Sequence, residues 1–273
     1  MRVLLWGLLA LVLAGCDETP TGRSQLALVP DALMAKLGAD SFDEMRERRP
    51  IVEDAALERR VRCVADAVVD AARRHYPRAD VPEAWEVVVF DDPTPNAFAL
   101  PGGRIGVHRG LLRVAETPAQ LSAVIGHEVA HVLADHGNER LTQRLGIKAA
   151  LLVVGLFSEG ELAGEPLRQA LGVGARLGIS LPFSRTHEEE ADLMGLEIMA
   201  AAGFAPEASV ALWRNMAAAG GGQPPQFLST HPAHESRIEA LQRHLAGARR
   251  LGPEAAPPAC GLGGKGDKRA PGA

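Results

Sequence analysis

The sequence predicts an α+β fold, mainly helical, with a small β-sheet or hairpin set just before a metal-binding helix. Three observations carry this. Apolar residues recur at helical spacing through most of the chain. Three short strand-like runs lie between 85 and 108. A helix-compatible H-E-x-x-H, His127-Glu128-Val129-Ala130-His131, follows them. The 273 residues can bury a sizeable core. With 47% hydrophobic and 23% charged residues, disordered and collagen-like classes are excluded. A net charge of −5 gives no global attraction to nucleic acid, which is not an expected partner.

Met1-Arg2 is a short basic start, and Val3 to Leu13 is an apolar run. The run is shorter than the roughly 20 residues a spanning helix needs, as in a secretory signal. It ends in Leu13-Ala14-Gly15-Cys16, which resembles the bacterial lipobox. Residues 1–15 are therefore expected to be a lipoprotein signal peptide and 16–30 a lipid anchor on Cys16 with its polar tether. Residues 31–250 are the expected domain, and 251–273 a flexible tail rich in Gly, Pro and Ala. Two acyl chains suffice for stable anchoring in a membrane. The implied address is the bacterial cell envelope, periplasmic side, with Asp17 favouring the inner membrane. In that oxidising compartment Cys63 and Cys260 can pair or remain thiols; spacing alone does not decide.

Leu57, Val61, Val64, Val68 and Ala72 place a helix over about Val52 to Tyr76. Trp85 to Phe90 reads as a strand closed by Asp91-Asp92-Pro93. Asn96 to Leu100 and Arg104 to His108 read as a hairpin around Pro101-Gly102-Gly103. Thr117-Pro118 opens a helix to about His136, stopped by Gly137. Leu141 to Phe157 and Glu161 to Leu181 are apolar and helical. Arg185 to Ala202 and Pro206 to Ala219 are further helices, then comes a Gly220–Pro225 loop, and Pro232 opens a last helix to about Arg250.

In His127-Glu128-Val129-Ala130-His131 the two histidines lie one turn apart on one helical face and can share a metal ion. Glu128 sits beside that face, where it can take a proton from a metal-activated water. Leu121, Val124, Ile125 and Val132 make the helix apolar enough to bury, and buried imidazoles without a partner are costly. A catalytic zinc site takes three protein ligands and leaves one position open. Ala134 and Gly137 stand where a metzincin needs glycine and histidine, so that class is excluded. The run Ser184-Arg185-Thr186-His187-Glu188-Glu189-Glu190-Ala191-Asp192 offers carboxylates instead, with Glu188 and Asp192 on one face.

These residues resemble the gluzincin peptidases of the CAAX prenyl protease/HtpX type. The resemblance rests on His127-Glu128-x-x-His131 with Glu188-x-x-x-Asp192, on Asn96 to Gly103 with Gly110-Leu111-Leu112, on Ser184-Arg185, and on Ser229-Thr230-His231-Pro232 with Arg237-Ile238. It runs from about Phe90 to Leu241 and points to the small branch without membrane spans, which includes bacterial envelope lipoproteins. It implies a zincin-type metallopeptidase domain with one Zn2+ per chain on His127, His131 and Glu188. Glu128 is then the catalytic base and Asp192 orients a ligand histidine; Glu189 and Glu190 are the competing ligand candidates. His231 is implied either as a donor to the oxyanion or as a fourth ligand that silences the site. Tyr76 is far from every motif. His108, His136, His187, His234 and His244 are read as surface or supporting residues.

The expected activity is zinc-dependent endopeptidase hydrolysis of unfolded or misassembled envelope proteins, read by β-augmentation along Arg104–His108 or Asn96–Leu100. Competing expectations are a chaperone-like metal-containing binding module with little proteolysis, and a zinc hydrolase of cell-wall peptide.

Overall fold

In the computed structural model the described residues are 16–144, 146, 183–219, 226–231, 235–252 and 258–261. The signal peptide, most of the two apolar helices over 141–181, the Gly220–Pro225 loop, Pro232 and most of the tail lie outside them.

The described residues open with β1 (Cys16–Glu18) and β2 (Ser24–Leu26), an antiparallel pair. The expected tether is thus folded over 16–26. Helix α1 (Asp31–Arg48) follows, an element with no clear sequence signal. Its buried face mixes Leu33, Met34, Phe42 and Met45 with Gly38 and Ser41, so its apolar stripe is thin. Gly38 is required there, because a Cβ would lie 2.1 Å from the Pro101 carbonyl oxygen. Helix α2 (Ala55–His75) starts three residues later than expected, capped by Asp54 accepting from Ala56 and Leu57 N–H.

β3 (Glu86–Phe90), β4 (Ala97–Leu100) and β5 (Arg104–His108) form a sheet in the order β3-β5-β4. β5 pairs parallel with β3 and antiparallel with β4, so the expected hairpin is present. Successive residues point to opposite faces. Val87, Val89, Ile105 and Val107 join the main core under α2, while Val88, Phe90, Phe98 and Leu100 pack on Phe42 and Met45 of α1. β5 is central, which removes Arg104–His108 as a substrate edge and leaves β4. His108 N–H bonds to the Asn96 carbonyl, so by antiparallel alternation Ala97 and Ala99 turn their backbone groups to the free side.

Helix α3 (Pro118–Leu133) carries H-E-x-x-H and is capped by Thr117 accepting from Gln120 N–H. It ends three residues earlier than expected. Asp135 adopts φ 49°, a left-handed conformation, and residues 136–144 then run on as a second helical stretch through Gly137. Helix α4 (Arg185–Ala201) carries the acidic run, with Ser184 accepting from His187 N–H. Helices α5 (Glu207–Ala218), α6 (Gln226–Thr230) and α7 (Glu235–Ala248) complete the described elements. Cys63 and Cys260 are disulfide-bonded with Cα atoms 5.5 Å apart, and Cys260 is buried. The open pairing is thus resolved, and this part of the tail is pinned to α2.

α3 and α4 cross at two glycines. A Cβ on Gly195 would stand 2.8 Å from His127 N and 2.9 Å from His127 Cα. A Cβ on Gly126 would stand 3.0 Å from the Gly195 carbonyl oxygen. Both clashes are with backbone, which cannot swing aside. Gly195→Ala is therefore expected to destabilise the fold by about 1–3 kcal/mol, the usual range for overpacking. Gly247→Ala, whose methyl would meet only the Arg250 side chain at 3.8 Å, is expected to be neutral or stabilising. Denaturant unfolding of the two variants checks this, and equal effects would contradict it.

Candidate active site

The crossing sets His127 and His131 of α3 against Glu188 in the first turn of α4. His127 Nε2 lies 3.1 Å from His131 Nε2 and 3.5 Å from Glu188 Oε2. His131 Nε2 lies 3.6 Å from Glu188 Oε1. His231, which follows α6, places Nδ1 2.9 Å from Glu188 Oε1 and 3.2 Å from His127 Nε2. One donor atom from each of the four residues lies within 4.8 Å of the others, and all four side chains are buried. A tetrahedral ion with zinc-like bonds holds its donors roughly 3.3 Å apart. The spacings among His127, His131 and Glu188 bracket that value, and the donor set of imidazoles and one carboxylate suits zinc.

Each donor is braced. His127 turns Nδ1 to Asp192 Oδ1 at 3.1 Å. Arg237 grips Asp192 by two bonds, Nε to Oδ2 at 2.6 Å and an Nη2 bond to Oδ1 at 2.8 Å, and its Nη1 lies 2.6 Å from Glu188 Oε2. The guanidinium also stacks on the Trp213 ring at 4.1 Å. Burial opposes ionisation of Asp192, and the Arg237 charge overcomes it and holds the carboxyl below its ordinary range. Burial likewise opposes the Glu188 carboxylate, and the His231 and His127 rings hold it far below the usual carboxylate range. His131 stacks on Phe183 at 3.9 Å between ring centroids, and His231 stacks on Phe227 at 4.5 Å.

Glu128 stands beside the donors. Its Oε2 accepts from Ala99 N–H of β4 at 3.3 Å, and its Oε1 is 3.4 Å from His231 Nε2. Burial pushes its carboxyl up, while His231 and His127 pull the other way. Beyond β4 lies a cleft lined among others by Met34, Leu37, Leu100, Pro101, His131 and Phe183.

The structure therefore brings Glu128, His127, His131, Glu188, Asp192 and His231 together. Glu189 and Glu190 are not in the donor group; Glu190 binds Arg23, Thr21 and His136 instead. Tyr76 bonds to Glu197, away from the site. His108, His136 and His187 are buried, so the surface alternative fails for all three. Arg237 stands with Ile238 after Ser229-Thr230-His231-Pro232, but its role is not legible in the sequence because its partners Asp192 and Glu188 lie on another helix.

The sequence pattern of the family described as "Peptidase family M48" matches residues 55–245. The chain belongs to peptidase family M48. It is 39% identical over 165 residues to the mitochondrial metalloendopeptidase OMA1 of Schizosaccharomyces pombe, covering 59% of this chain and 47% of that protein. It is 33% identical over 246 residues to the mitochondrial metalloendopeptidase OMA1 of Danio rerio, covering 86% of this chain and 51% of that protein. It is 26% identical over 202 residues to the beta-barrel assembly-enhancing protease of Escherichia coli, covering 71% of this chain and 40% of that protein. The chain spans about half the length of the curated relatives it matches. These similarities place it in the family and do not single out a branch of envelope lipoproteins.

Proposed function

We propose that this chain is a zinc metalloendopeptidase of protein quality control, acting on unfolded or misassembled proteins of the bacterial cell envelope. The observation that carries the reading is the convergence of His127, His131 and Glu188 beside Glu128 at the free edge of β4. Membership of a peptidase family, with relatives named as metalloendopeptidases and as a beta-barrel assembly-enhancing protease, supports the reaction and the quality-control role. The envelope address and the lipid anchor on Cys16 rest on the Leu13–Cys16 signature. Among the described residues no helix is long and apolar enough to cross a membrane.

Zinc, when bound by His127, His131 and Glu188, supplies Lewis acidity toward a water and the scissile carbonyl. Glu128 takes the proton of the attacking water and returns it to the leaving amine. Asp192 holds His127 in the tautomer that leaves Nε2 free to ligate, with Arg237 keeping Asp192 ionised. Ala97 and the Ala99 carbonyl offer outward backbone groups to an extended chain, a mode that reads backbone and tolerates many sequences; the Ala99 N–H is taken by Glu128. The apolar cleft beside β4 takes side chains that folded proteins hide.

His231 has two possible services, and its position favours the first. With Nδ1 facing Glu188 and His127, it stands where a fourth ligand would displace the reacting water. Swung away, it is a donor to the oxyanion. A latent resting state thus accounts for a buried fourth imidazole.

The deciding experiment is casein cleavage by the protein from residue 17 onward, with and without a chelator, beside Glu128→Gln. The expected result is chelator-sensitive cleavage that falls at least about a hundredfold in Glu128→Gln, the usual share of general acid–base catalysis, with zinc content unchanged. Full activity in Glu128→Gln would overturn the assignment. His231→Ala is expected to raise basal cleavage by removing the closed population. A fall of roughly a hundredfold would assign the oxyanion role instead, and unchanged cleavage and zinc affinity would reject both.

A further inference from the structure

His131 is braced by a longer route than His127, and that route leaves the family-matched segment. His131 directs Nε2 at the other donors, so its Nδ1 carries the proton. That nitrogen lies 2.8 Å from His136 Nδ1, which must then accept. The His136 proton sits on Nε2, 3.1 Å from Glu190 Oε2. Glu190 Oε2 also accepts from Arg23 Nε at 2.6 Å, and its Oε1 accepts the Thr21 hydroxyl. Arg23 is clamped on its far side by Glu139, with contacts of 3.2 and 2.8 Å. Glu139 in turn accepts from His187 Nε2 at 3.0 Å, and the His187 ring stacks on His136 at 4.4 Å.

Only one arrangement of protons satisfies this chain once His131 ligates through Nε2. From His131 through His136 to Glu190 each bond runs outward from the donor group, and each ligand histidine ends at a carboxylate gripped by an arginine. For His127 the carboxylate is Asp192 and the arginine is Arg237, within residues 55–245. For His131 the carboxylate is Glu190 and the arginine is Arg23, on the turn between β1 and β2, before that segment. Arg23 is also the cation that both Glu139 and Glu190 share, so its removal leaves two largely buried carboxylates without their common arginine.

We propose that Arg23 is a positioning residue of the metal centre: through Glu190 and His136 it fixes the ring and tautomer of His131, which makes the N-terminal hairpin a working part of the site. The proposal rests on the zinc reading above. Partners behind a ligand histidine set its orientation and basicity, and their loss typically costs ten- to a hundredfold in metal affinity. A change in how the hairpin docks would reach the zinc by the same route.

The test measures zinc affinity of the full mature chain by competition with a chromophoric chelator, for wild type, Arg23→Gln, Glu190→Gln and Arg23→Lys. Arg23→Gln and Glu190→Gln are expected to bind zinc ten- to a hundredfold more weakly. Arg23→Lys, which keeps a charged donor for Glu190, is expected to recover part of the loss. Circular dichroism of the metal-free proteins reports whether each variant folds. Nitrogen chemical shifts of the zinc-loaded wild type, independent of any variant, are expected to show His131 protonated on Nδ1 and His136 on Nε2. His136 protonated on Nδ1, or folded Arg23→Gln and Glu190→Gln within twofold of wild type, would overturn the proposal while leaving the zinc reading intact. Wild-type protein that takes up no zinc would overturn both.

Discussion

The close crossing of α3 and α4 at Gly126 and Gly195 is the constraint on which the rest depends. The H-E-x-x-H helix supplies two donors and cannot supply the third from its own face. The third must come from another helix, and a carboxylate reaches the donor group only if the two backbones nearly touch. A side chain at Gly195 would press on the His127 backbone and force the two helices apart, and one at Gly126 would crowd the Gly195 carbonyl. The small sheet then finds its place. β4 runs along the opposite side of α3, close enough for Ala99 N–H to hold Glu128.

Such an assembly concentrates ionisable groups in the interior. Glu128, Glu188, Glu190, Asp192, His127, His131, His136 and His231 are all buried. Unpaired charges there would cost far more than the fold can spare. Arg237 and Arg23 answer this by each serving two carboxylates, Asp192 with Glu188 and Glu139 with Glu190. Stacking of Phe183, Phe227 and Trp213 on the imidazoles and on Arg237 excludes water from the same volume. Low dielectric then strengthens every polar contact that remains.

What could be read from the sequence follows from how local each feature is. His127, Glu128 and His131 occupy little more than one turn, and their spacing alone implies shared geometry. Glu188 needed a second motif and a resemblance, because a run of four acidic or imidazole side chains fits a solvated face as well. Glu190 was separable from Glu188 by its place around the helix, and it does serve another partner. The β4–β5 hairpin was legible from Pro101-Gly102-Gly103, but the identity of the edge strand was not, since β3 joins β5 from outside the hairpin. Arg23 meets Glu190 across 167 positions, and nothing local in Thr21-Gly22-Arg23 marks that meeting. Helix α1 carries little sequence signal because glycine and serine share its buried face. Gly126 and Gly195 look like ordinary small residues until the two helices are seen together.

The two crossing helices build one set of nitrogen and oxygen donors suited to zinc. X-ray absorption at the zinc edge of the zinc-loaded protein tests this. The expected spectrum shows four nitrogen or oxygen neighbours at roughly 2.0–2.1 Å with the outer scattering of two or three imidazoles. A sulfur shell near 2.3 Å, or a first shell without imidazole scattering, would contradict it.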